Sequence, residues 1–143
     1  MPFFLVIFSA IVMQLRWLDF GLNPNVFIAM LSAYAFFSDS QYIFTLATLV
    51  GIAILKYKPE FEGASFSLIL ISLFIFLSRK ILPIFSVVVV GFIAVISTVL
   101  FYGLSNYHII ILHTKLVFLE SLYNAILSIV FYLILKLIHG EER

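Results

Sequence analysis

The sequence predicts an all-α membrane protein: a compact bundle of about six transmembrane helices, forming one integral membrane domain over residues 1–143. Two observations carry this. Only 10% of the residues are charged, against 64% apolar. The charges also gather in short clusters between long apolar runs, such as Ile43–Leu55, Phe66–Leu77 and Ile81–Tyr102. A chain of this size folded in water leaves roughly a third of its unfolded surface exposed. Its polar residues are too few to cover that surface, so lipid is the expected solvent. The apolar runs are continuous and do not alternate with polar residues, which selects helices over a barrel.

The expected helices fall near Phe3–Leu18, Asn25–Ser38, Tyr42–Leu55, Ala64–Ser78, Ile81–Tyr102 and Leu116–Ile138. No Lys or Arg precedes Phe3–Val12, so this run reads as a retained membrane helix and not as a signal-peptide core. Asp19, Gly21 and Asn23-Pro24 end it, and Pro24 suits the opening of the second helix. Ser38-Asp39-Ser40 offers side-chain oxygens to the start of the third. Lys56–Gly63, with Pro59 and four charges, reads as a wet loop. Arg79-Lys80 and Pro83 separate the fourth and fifth helices, and Gly103–Asn106 ends the fifth.

The second to fourth helices are short. Fifteen helical residues cover about 22 Å against a hydrocarbon core of about 30 Å. Spanning with local thinning is the reading preferred for Asn25–Leu55, and a re-entrant pair is the alternative. Asp39 at the tip of that pair is tolerable at a surface and costly at mid-bilayer. Lysines and arginines divide evenly between the two sides, so charge does not set the orientation. Trp17, Tyr42, Tyr57, Tyr102 and Tyr107 lie near helix ends, where interface anchors occur.

Several function classes are excluded. A net charge of +1 leaves no nucleic-acid footprint. Without cysteine there are no disulfides, thiolate metal sites or cysteine nucleophiles. His108 and His113 are five apart and lack the four-residue spacing and adjacent glutamate of a zinc peptidase helix. There is no Gly-x-Ser-x-Gly elbow and no phosphate loop. Neither catalysis, cofactor nor metal is expected. Arg16 and Asp19 can pair near the end of the first helix, and Glu120 suits the positive end of the last helix's dipole.

The last helix is the strongest candidate for a functional surface. Ser121, Asn124, Ala125, Ser128 and Tyr132 recur at spacings of three and four and share one face. Small and weakly polar residues let helices approach closely in lipid and supply interhelical hydrogen bonds. Ser121, Asn124, Ala125 and Ser128 therefore either organise the bundle or contact a partner. Weaker stripes occur at Asn25, Ala29, Ser32 and Ala33, at Ala47 and Gly51, and at Gly91, Ala94 and Thr98. Packing is the expected use of these.

The order of these features resembles the MreD family of bacterial rod-shape proteins. Three places carry the resemblance. Val12-Met13-Gln14-Leu15 leads through a short loop to Asn23-Pro24-Asn25. A short helical pair contains Gly51. Leu122-Tyr123-Asn124-Ala125-Ile126-Leu127 is similar to the family's closing helix and is followed by a brief basic tail. The chain departs from the family in being shorter, and in carrying Lys56 and no acid after Gly51. The resemblance implies a non-enzymatic scaffold in the bacterial inner membrane, in contact with lipid. It would bind a bitopic MreC-like shape factor and other elongation-complex components during sidewall peptidoglycan synthesis. The six-helix layout is also similar to the substrate-binding subunits of energy-coupling-factor vitamin transporters. Their usual Ala-xxx-Ala motif is missing from Phe8-Ser9-Ala10-Ile11-Val12-Met13-Gln14. A polar vitamin would also need more polar groups at depth.

Overall fold

A computed structural model describes residues 2–14, 25–38, 40–55, 64–81 and 87–140. They are all helical or connecting turns, with no strand among them. The helices are α1 (Pro2–Gln14), α2 (Val26–Tyr34), α3 (Gln41–Leu55), α4 (Ser65–Ile81), α5 (Val87–Ser105), α6 (Tyr107–Leu112) and α7 (Thr114–Gly140). The Arg16–Asp19 pair, Asp39, Trp17, Tyr57, the Lys56–Gly63 loop and the Pro83 break lie outside the described residues.

Several boundaries differ from the sequence expectation, among them the end of α2 at Tyr34 and of α5 at Ser105. Ile81 closes α4 instead of opening the next helix, and α5 starts at Val87. The connector after Ser105 contains a further short helix, α6. The closing helix begins at Thr114, two residues before Leu116. That earlier start moves Glu120 beyond the first turn, so the dipole does not account for its position.

The outer helices are one-sided. On α1, Val6, Ser9, Ala10 and Met13 are buried; on α3, Phe44, Ala47, Thr48, Gly51, Ile52 and Leu55 are. Spacings of three and four place each set on one helical face. The opposite faces are apolar too, with Phe4, Phe8, Leu46, Leu49, Phe66, Leu73, Phe92 and Ile126 all exposed. The usual amphipathic arrangement has polar residues outside. Here Ser9, Thr48, Gly51, Ser97 and Thr98 lie inside, while many large hydrocarbons lie outside.

α2 is the exception, because all nine of its residues are buried. It packs against α1, α5 and α7, with further contacts to α3 and α4. Its enclosure leaves its terminal amides dependent on the protein. The Asn25 side chain accepts from Ile28 N at 3.1 Å, and Met13 Sδ accepts from Phe27 N at 3.3 Å. At the other end Ser38 N donates to Tyr34 O at 3.0 Å, and Arg79 of α4 donates to the Ser38 carbonyl. A cation there also complements the helix's negative end. Nine residues cover about 14 Å, under half of a hydrocarbon core. The preferred spanning reading of Asn25–Leu55 therefore finds no support in the length of α2.

Aromatic rings fasten α2 to its surroundings. Tyr34 stacks on Phe44 at 5.8 Å, Phe44 meets Phe76 at 5.3 Å, and Tyr132 of α7 packs edge-on to Phe36 at 6.3 Å. Gly51 is a fixed point of this packing. A Cβ built there would lie 2.2 Å from the Phe27 ring, and Phe27 is fully buried. A shift of the ring would have to be absorbed by its buried neighbours. Gly51→Ala is expected to destabilise the fold by about 1–3 kcal/mol through overpacking. Gly103→Ala, whose Cβ would meet only Ile110 at 3.9 Å, is the matched control. Thermal unfolding in mild detergent checks both: a large drop in midpoint for the first and little change for the second.

Candidate functional site

α5 and α7 share the most extensive helix–helix interface in the structure. Small residues on α5 make this closeness possible. A Cβ at Gly91 would lie 3.1 Å from the Ile129 side chain and 3.8 Å from Ala125 Cβ. Val90, Gly91, Ile93, Ala94, Ser97, Thr98 and Phe101 are the buried positions of α5. The stripe of Gly91, Ala94 and Thr98 thus serves as packing surface.

The predicted face of α7 turns inward onto this seam. Ser121 is 2% exposed, Asn124 and Ser128 are fully buried, and Ala125 is half-buried. Asn124 Nδ2 donates to Thr98 Oγ1 at 2.8 Å, and Thr98 donates in turn to Ala94 O at 2.8 Å. Ser121 and Ser128 donate to Val117 O and Ala125 O at 2.8 and 2.9 Å. Their hydroxyls are satisfied within their own helix, leaving a small outer surface for α5 to approach. Among Ser121, Asn124, Ala125 and Ser128, it is Asn124 whose side chain bonds across to the neighbouring helix. Ser121, Asn124 and Ser128 are enclosed by the chain's own helices, which is the geometry of bundle organisation.

Two buried polar atoms of the seam, Asn124 Oδ1 and Ser97 Oγ, have no hydrogen-bond partner in the structure; nor does Asn25 Nδ2 at the head of α2. Sequence reading singled out Asn124 and Asn25 but passed over Ser97. It also passed over the contact of Glu120 with Tyr102. Glu120 is 2% exposed, and its carboxylate accepts from the Tyr102 hydroxyl at 2.6 Å. Spacing offered a signal, since Val117, Glu120, Ser121 and Asn124 continue one inward face. This pair ties the end of α5 to the beginning of α7, one layer from the Asn124–Thr98 bond.

No group of three or more His, Cys, Asp or Glu among the described residues could hold a metal ion. His108 sits against the Tyr107 ring, 4.0 Å between centroids, and His113 caps the end of α6. The seam supplies adhesion between helices.

By length and composition, two of the described helices suffice to cross a membrane: Val87–Ser105 and Thr114–Ile138. At 1.5 Å per residue, α5 is about 28 Å long and α7 about 40 Å. Only 39% and 28% of their apolar windows are buried. A core helix of a water-soluble protein would hide most of such a window. No family model matches the chain, and comparison with curated proteins and with solved structures finds no match either.

The Asn124–Thr98 bond is testable as a pair. Asn124→Leu and Thr98→Val should each lower stability in detergent, and the double variant should lose less than their sum. The expected coupling is about 0.6 kcal/mol, the average for hydrogen bonds between helices in membranes. Additive losses would mean that the bond contributes nothing of its own.

Proposed function

We propose that this chain is a multi-pass protein of the bacterial cytoplasmic membrane, a compact bundle of about six membrane-embedded helices with the short α2 enclosed by the rest. Its job in this reading is that of a scaffold resembling the MreD family. It binds a bitopic, MreC-like shape factor and supports sidewall peptidoglycan synthesis without catalysing a reaction.

One observation carries the reading. The residues behind the sequence resemblance sit at the joints of the bundle. Asn25 caps α2, Gly51 receives the Phe27 ring of α2, and Asn124 binds α5 to α7. A chain that spends its polar residues on internal joints suits a rigid body presented to other membrane proteins. The exposed apolar faces of α5 and α7 offer such partners a large lipid-level surface.

Gentle solubilisation of the full chain followed by identification of retained proteins tests this directly. A single-span shape factor with elongation-complex components is the expected catch, and depletion of the chain should round the cells. Recovery with an ATP-hydrolysing transport module, or nanomolar binding of a vitamin, would contradict the scaffold.

A further inference from the structure

The turn between α5 and α7 carries an open groove lined by Leu112, His113, Thr114, Lys115, Leu116 and Leu119. Its lining is of two kinds. The three leucines offer apolar contact, while Lys115 offers an exposed cation beside His113. No acidic side chain lines it. The carboxylate nearest in sequence, Glu120, is turned inward onto Tyr102. Thr114 has its hydroxyl committed to Ile110 O at 2.6 Å.

α6, which leads into the groove, has no buried residue although it reads Tyr-His-Ile-Ile-Ile-Leu. Ile111 is 68% exposed and Leu112 73%. Among the described residues nothing covers Ile111 and Leu112, and so large an apolar outer surface on a six-residue helix suits an apolar neighbour. Tyr107 and His108, in contact at its start, have amphipathic rings of the kind that favour the headgroup level of a bilayer. An occupant that is apolar over most of its length and negative at one end matches both kinds of lining.

We propose that this groove seats an anionic phospholipid. Its acyl chain lies along Leu112, Leu116 and Leu119, and its phosphodiester meets Lys115 and His113. α6 then lies in the interface plane as a short anchor beside it. The proposal rests on the membrane reading above and adds a preferred lipid and its site. One lysine close to an anionic surface corresponds to about a fivefold preference for the anionic lipid.

The test uses tryptophan quenching by brominated lipids in vesicles of equal parts phosphatidylcholine and phosphatidylglycerol. Trp17→Phe removes the chain's single tryptophan, and Leu112→Trp then places a reporter in the groove. Ile126→Trp, on the outward face of α7, reports on the bundle away from it. Bromine on phosphatidylglycerol should quench the 112 reporter more strongly than bromine on phosphatidylcholine, with no such difference at 126. Lys115→Gln, at an exposed position, should remove the preference while leaving the reporter in lipid. Equal quenching by both lipids at 112, or a preference that survives Lys115→Gln, would overturn the proposal. So would a 112 reporter that neither lipid quenches while the 126 reporter is quenched. Absence of quenching at both positions would overturn the membrane reading as well.

Discussion

Backbone amides that have no water nearby must find partners within the protein, and this requirement shapes the whole structure. It is felt most strongly at α2, where nine residues are shut in on every side. Each orphan group at the ends of a helix costs free energy when buried unpaired. The chain answers with a sequence-local acceptor, Asn25, and a distant one, the Met13 sulfur on α1. At the far end Arg79 reaches across from α4. The placement of α1 and α4 around α2 is thus tied to polar bookkeeping as much as to packing.

The same rule explains how the interior can hold so many hydroxyls. Ser32, Thr48, Thr98 and Ser121 each donate to a carbonyl four residues back. Self-satisfied hydroxyls behave toward neighbouring helices as small groups. Together with Gly51 and Gly91 they let helices come close, and van der Waals contact over a close interface is the main attraction available to helices in lipid. Many further large hydrocarbons face outward, where lipid chains in the proposed setting would solvate them without penalty.

Much of this was legible in the sequence. Continuous apolar runs predicted helices, and the three-and-four spacing from Ser121 to Tyr132 marked out one face of α7, most of which lies buried. Asn25, Gly51 and Asn124 were picked out as special and lie at helix joints. What escaped was set by contacts between distant residues. Nothing local in Met13 foretells that its sulfur serves as an acceptor for α2, and the partner of Glu120 lies eighteen residues away. The enclosure of α2 escaped for a related reason. A helix apolar all round reads the same whether lipid or protein surrounds it, and only the packing of α1, α5 and α7 decides.

The account depends above all on hydrocarbon being the medium against which these outward leucines, isoleucines and phenylalanines are stable. Alkaline carbonate extraction of cells expressing the full chain measures this most directly. The protein should stay with the membrane pellet and be released only by detergent. A folded, monodisperse protein in the aqueous supernatant would contradict the account.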